Sequence, residues 1–182
     1  GINEECTDAY FATKDIKVSN AAPQDIVLKR PYGKLRVIAT DLAELNLNLN
    51  PESVTVEYES FNPNAFNAVT GTISGEYATN KFSTEFVENV RSNMGSHYYT
   101  AGYDAKTYKA PNGTVRNSHI TLFTDYILGV DDQKAIHFTM TVNDQNGTPI
   151  KTTEFKTDIP IARNKLTTVI GNLLTTAAEI KD

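Results

Sequence analysis

In the segment KAIHFTMTVND, Ile136, Phe138, Met140 and Val142 alternate without a break with His137, Thr139, Thr141 and Asn143. Successive strand side chains point to opposite faces, so this pattern predicts a strand with one buried and one solvated side. The same residues wound into a helix would spread around its whole circumference. SVTVEYES repeats the pattern, with Val54, Val56 and Tyr58 inward and Thr55, Glu57 and Glu59 outward. GKLRVIAT sets Leu35, Val37 and Ala39 against Lys34 and Arg36. HITLFTDYIL sets Ile120, Leu122, Tyr126 and Leu128 against His119, Thr121 and Asp125, with Phe123 and Ile127 making its second face partly apolar. Lys14–Ser19, Asp25–Arg30, Ala65–Thr72, Ile150–Asp158 and Lys165–Thr175 are further strand candidates.

Turn chemistry divides these strands. Asn146-Gly147 predicts a type I′ hairpin turn, whose two central residues both need positive φ. LGVDDQK predicts a second hairpin just before it, giving a meander from His119 to about Asp158. NLNPES and SFNPNA punctuate the first half, because proline removes a ladder donor and restricts the residue before it. Only TDLAELN, Thr40 to Asn46, reads as helix, a turn or two long with Leu42 and Leu45 on one side. Thr79 to Asn117 has weak periodicity and predicts a long connection carrying one or two short strands. Thr and Asn make up about a fifth of the residues, and they suit pleated strands and turns respectively. With 182 residues the chain is expected to form a single domain, residues 1–182, with about nine strands and one short helix. That pattern predicts an all-β fold, a β-sandwich first and a closed barrel second.

The chemistry on offer is sparse. One cysteine, Cys6, excludes an internal disulfide framework and a cysteine-based zinc site, and no His or basic residue sits beside it to activate the thiol. His119 and Asp125 are six residues apart on one strand, roughly 20 Å, too far to share a metal. His97 and His137 add no convergent set, so no metal, cofactor or catalytic residue is assigned. Val130–Gln133 and Asn143–Gly147 cluster oxygens but lack the spacing of a calcium loop. No nucleophile elbow, Walker loop or dinucleotide glycine pattern occurs. The net charge of −5 argues against a nucleic-acid surface, and no apolar run is long enough to span a bilayer. Asn112 and Asn146 stand in NGT, an acceptor pattern for N-glycosylation, but the same residues make ordinary Asn-Gly turns, and the turn is the preferred reading. Tyr98, Tyr99, Tyr103 and Tyr108 form an aromatic group in a polar stretch, residues able to stack on sugars or anchor a protein partner.

Two stretches carry more than strand pattern. KRPYGKLRVIATD, Lys29 to Asp41, and IPIARNKLTTVIGNLLT, Ile159 to Thr175, resemble two landmarks of the fimbrillin-like, FimA/Mfa-type fimbrial subunit superfamily of Bacteroides-type bacteria. The matching positions are Arg30, Pro31, Tyr32, Lys34, Leu35 and Arg36, then Asn164, Thr168, Ile170, Gly171, Asn172, Leu173, Leu174 and Thr175. CTDAYFA, Cys6 to Ala12, is a weaker third match.

The resemblance implies a transthyretin-like Greek-key β-sandwich, exported through the periplasm as a lipoprotein precursor and displayed at the outer membrane in a fimbrium. Its expected partners are other fimbrial subunits, joined by strand exchange after a protease cuts at Arg or Lys, with host protein or glycan as adhesion ligands. The chain departs from the family pattern at Cys6, where Ile2-Asn3-Glu4-Glu5 is no lipid-anchor consensus, so membrane attachment is expected only through an anchor not present in this chain. It is expected to be the N-terminal domain of a longer subunit. Arg30 precedes Pro31, a poor site for trypsin-like cleavage, so no activating cut is assigned. The competing expectation is a surface binding module that recognises glycan or host protein through the Tyr98–Tyr108 loop. Within the late landmark, Gly171 is expected to mark a bulge or close backbone approach, and Ile159-Pro160 to lie at a strand's edge or entry.

Overall fold

The alternation in KAIHFTMTVND becomes the longest run of regular burial among the described residues. Ile136, Phe138, Met140 and Val142 are buried, and His137, Thr139 and Thr141 between them are half-exposed. A computed structural model describes residues 9–16, 23–41, 51–59, 63–86, 107–109, 115–117 and 120–175. These form eleven strands: β1 (Tyr32–Ala39), β2 (Pro51–Tyr58), β3 (Ala65–Asn67), β4 (Thr72–Ser74), β5 (Lys81–Glu85), β6 (Thr107–Lys109), β7 (Val115–Asn117), β8 (Ile120–Leu128), β9 (Lys134–Asp144), β10 (Pro149–Ile161) and β11 (Leu166–Gly171). The fold is all-β, with no helix among the described residues. The expected helix falls largely outside them, since Thr40 and Asp41 sit at a bend and residues 42–46 are not described.

Two open sheets share one core. The first has the order β11-β1-β8, with β11 parallel and β8 antiparallel to β1. The second is antiparallel, in the order β10-β9-β2-β5. Leu35, Val37, Leu122 and Phe123 of the first sheet pack with Val54, Val56, Phe138 and Met140 of the second. Phe123 meets Phe138 edge-on across the interior, with ring centres 6.0 Å apart. The two remaining sheets are small hairpins, β3–β4 and β6–β7. The long connection from Thr79 to Asn117 therefore contributes three short strands, β5, β6 and β7.

Several expectations change. The predicted meander does not form, because β8 and β9 lie in different sheets and, of its three strands, only β9 and β10 make a hairpin. The segment between β8 and β9 crosses from one sheet to the other. Its Gly129 and Val130 carbonyls accept the Arg163 Nε–H and backbone N–H, which hold it against the β10–β11 corner. The faces of β8 also change part-way. A register shift opposite Val37 and Ile38 leaves Leu122 unpaired, so Phe123, Asp125 and Ile127 turn inward while Tyr126 and Leu128 turn outward. Asp125, expected to face solvent, is 5% exposed.

The Asn146-Gly147 turn is not type I′, since of the two only Gly147 has positive φ, at 78°. Asp144 makes the difference: its Oδ1 accepts the N–H groups of Asn146 and Thr148, and its carbonyl accepts that of Gly147. These bonds hold the Asp144 carboxyl below its ordinary range, led by that from Thr148. Ala65–Thr72 is a hairpin rather than one strand. The Asn67 side chain takes the N–H groups of Val69 and Thr70, and Gly71, at φ 67°, completes the reversal. Asp25–Arg30 runs without a ladder beyond a single bridge between Phe11 and Lys29, and Lys14–Ile16 has no strand either.

Candidate functional site

The two landmark stretches meet in space. β1 and β11 pair in parallel, from Lys34 opposite Leu166 to Ala39 opposite Gly171. Both approaches to this pair are built from landmark residues. Before β11, Asn164 takes the left-handed backbone conformation, φ 58°, which asparagine tolerates better than most residues. Its N–H donates to the Tyr32 carbonyl at 3.2 Å, and its Oδ1 accepts the Arg30 N–H at 2.9 Å. Gly33 leaves room for this corner, because a Cβ there would sit 2.5 Å from the Ala162 carbonyl oxygen.

At the other end the pair is clasped. Asp41, 2% exposed, places its carboxylate within a turn of backbone N–H groups. Oδ1 accepts from Leu173 at 3.1 Å and Leu174 at 3.2 Å; Oδ2 accepts from Leu174 at 3.0 Å and from Thr175 N and Oγ1 at 2.8 Å each. Lys151 of β10 grips the same turn by its oxygens, donating to the carbonyls of Asn172 and Thr175. β11 thus stops at Gly171, short of the expected Thr175, because Asp41 and Lys151 take the backbone groups a ladder would use. Gly171 marks that strand end; β1 and β11 stay in register through it, and a Cβ there would meet only ordinary contacts with Leu173.

Arg163, next to Asn164, is buried and ties three parts of the chain to the corner. Its Nε–H donates to Gly129 at 2.7 Å, its Nη2–H to the Gly71 carbonyl in the β3–β4 hairpin, and its guanidinium lies over Phe11 and Phe66 at 5.0 and 5.4 Å. Nothing in the spacing of the sequence marks Arg163 or Asp41 as buried. Asp125 was missed for the same reason: Tyr58 Oη donates to it at 2.7 Å, from the opposite sheet. Burial, followed by the Asp125 charge, raises the Tyr58 phenol well above its ordinary value.

The outer face of the first sheet carries the other half of the landmarks. Cross-strand rows there are Leu166–Lys34–Tyr126 and Thr168–Arg36–Thr124. No carboxylate points outward from β1, β8 or β11, since their only acidic residue, Asp125, faces the core. At the end where β1 and β11 begin, Arg30, Tyr32, Lys34, Tyr126, Asn164, Lys165 and Leu166 line a shallow pocket of about 210 Å³. The Lys34 ammonium rests over the Tyr126 ring at 4.9 Å, and Tyr32 meets Tyr126 edge-on at 5.1 Å. The Arg30 guanidinium donates to Tyr10 Oη at 2.7 Å and covers that ring. Burial lowers the Arg36 guanidinium from its ordinary value, opposed by Tyr126, and leaves it a cation at neutral pH.

A family model described as a family of unknown function, DUF6562, matches residues 2–181. The chain belongs to that family. No curated protein matches it in sequence.

Among the described residues, the remaining sequence-based candidates in this DUF6562 chain do not converge. Tyr98, Tyr99, Tyr103, His97 and His119 lie outside the described residues, as does Cys6. Tyr108 sits in β6 opposite Arg116. His137 pairs with Asp158 at 2.9 Å on the outer side of the second sheet. Among the described residues no three His, Cys, Asp or Glu side chains are grouped to hold a metal. Pro160 lies on β10, which is an edge strand, where a missing donor costs least. A larger cleft of about 490 Å³, walled by Ile73, Leu128, Val130, Ile136 and Ile161 with Lys134 beside them, opens beside the β8–β9 crossing.

Proposed function

We propose that this chain is a structural subunit or accessory component of a cell-surface fimbria, reaching the outer membrane through the periplasm and assembling with other subunits by β-strand donation in support of adhesion. One observation carries the reading. The landmarks that resemble fimbrial subunits, Lys29–Asp41 and Ile159–Thr175, form a single parallel pair at the margin of an open sheet, clasped through Asp41. The finer fold that accompanies this reading is the transthyretin-like Greek-key sandwich. Open edges supply the physics of assembly. β11 and β8 end one sheet, β10 and β5 the other, and an added strand gains backbone hydrogen bonds along an edge while alternate side chains select the partner. Any membrane attachment in this scheme comes from a lipid anchor outside these residues, and the scheme assigns the chain no catalytic step and no cofactor.

The test is assembly. The full-length mature protein, cut by an Arg- or Lys-specific protease, is run unheated in SDS beside a boiled sample. A ladder that collapses on boiling is expected, together with antibody labelling of fibres on intact cells. Fully cut protein that stays monomeric, with no fibre labelling, overturns the proposal.

A further inference from the structure

The pocket where the landmarks meet has a donor set that fits one kind of ligand. We infer that it is a binding site for an acidic saccharide residue, a sugar ring carrying a carboxylate. Neither Lys34 nor Lys165 has a carboxylate within salt-bridge distance among the described residues, although acidic residues outnumber basic ones 22 to 17 in the chain. The two are neighbours, because the Lys34 N–H donates to the Lys165 carbonyl at 2.9 Å. Lys34 is also held in place by the Tyr126 ring beneath its ammonium. Two ammonium groups with no carboxylate partner among the described residues favour an anion, since neither must first be parted from such a partner.

The walls add the second requirement. Leu166 is 48% exposed beside Lys34, and the half-buried Tyr126 supplies ring surface. A bare inorganic anion would touch only the ammonium groups and leave this apolar surface wet. A saccharide presents C–H groups on its ring face and a carboxylate at its rim, so it engages both. At about 210 Å³ the pocket falls below the usual range for drug-sized ligands, as suits one sugar unit at the end or within an acidic chain. Nucleic acid fits less well, because a phosphate backbone needs a track of cations beyond a single pocket. The inference stands apart from the fimbrial reading: a monomeric chain would carry the same pocket.

The experiment uses the whole protein, with binding followed by calorimetry and by the shifts of Lys34 and Leu166 signals in NMR spectra. Four probes are compared: methyl glucuronide, methyl glucoside, acetate and inorganic phosphate. Methyl glucuronide is expected to bind, to bind at least about tenfold more tightly than acetate or phosphate, and to weaken as salt rises from low to physiological concentration. The neutral glucoside is expected to show no saturation. Lys34→Gln with Lys165→Gln, and separately Leu166→Asp, should each weaken the glucuronide at least tenfold, with unchanged melting temperatures showing that the fold is intact. Equal binding by all three anions reduces the site to a non-selective cation patch and overturns the saccharide assignment. Unchanged binding in the variants, or saturation by a phosphodiester oligonucleotide but not by the glucuronide, overturns the site as proposed.

Discussion

Replacing Asp41 with alanine strips acceptors from Leu173 N, Leu174 N, Thr175 N and Thr175 Oγ1 at once. Each buried donor left without a partner costs about 1–3 kcal/mol. Three backbone N–H groups at the low end already amount to about 3 kcal/mol. The low end is appropriate because the turn follows an edge strand and water can reach it once the carboxylate is gone. Lys151 still holds the carbonyls of Asn172 and Thr175, which limits how far the turn moves. For a chain of this size such a loss lowers the melting temperature by about 6–12 °C. Asp41→Asn should fall between the parent and Asp41→Ala, because one oxygen stays while the other becomes an N–H donor facing N–H donors. The assay is urea unfolding followed by far-ultraviolet circular dichroism, read as a lower midpoint at constant slope. Amide exchange should show the loss of protection concentrated in residues 166–175. A change below about 1 kcal/mol for Asp41→Ala would refute the reasoning, since the three donors would then have found other partners at no cost.

Tyr58→Phe removes the hydroxyl that donates to buried Asp125 and should cost about 1–3 kcal/mol by urea unfolding. With the Tyr58 phenol raised in the folded state, its contribution is fully present below the unfolded value near 10 and is lost as pH climbs towards the folded value, so alkaline unfolding should begin later in Tyr58→Phe relative to its own neutral stability. Gly33→Ala drives a Cβ to 2.5 Å from the Ala162 carbonyl and should destabilise by roughly 1–3 kcal/mol, with a lower melting temperature as the readout. Arg163→Ala should cost about 3 kcal/mol or more and selectively raise amide exchange in the β3–β4 hairpin, Ala65–Ser74, because the bond to Gly71 and the contacts over Phe11 and Phe66 go together.

The strands whose faces alternate cleanly were legible: β2 and β9 bury the side chains their sequences predicted. Sheet membership was not. β8 and β9 are close in sequence and joined by turn-like residues, yet they lie in different sheets because their partners, β1 and β2, come from far upstream. A one-residue irregularity hid the faces of β8. Leu122 consumes one position without a partner, and every later side chain reverses, so the burial of Asp125 follows from a bulge that alternation alone does not reveal. The pocket was half legible. Its cations stand in the landmark stretches, but their convergence depends on a parallel pairing between segments more than a hundred residues apart. Tyr126, read as inward, joins them only because the bulge turned it out.

The parallel β1–β11 pair also sets an order of events for a chain being made. β1 leaves the ribosome before β11, so its partner on one side, and the turn that satisfies Asp41, arrive 132 residues later. Until Leu173 follows, a buried carboxylate has nothing to hold and one edge of β1 has nothing beside it. Closing so long a loop is slow, and the gain comes only at the last step. Translation that stops before residue 166 therefore releases a chain with the strands of a domain but without its fastening. Such a chain should be the preferred target of chaperones and proteases, whereas one extended a few residues past Thr175 should escape them.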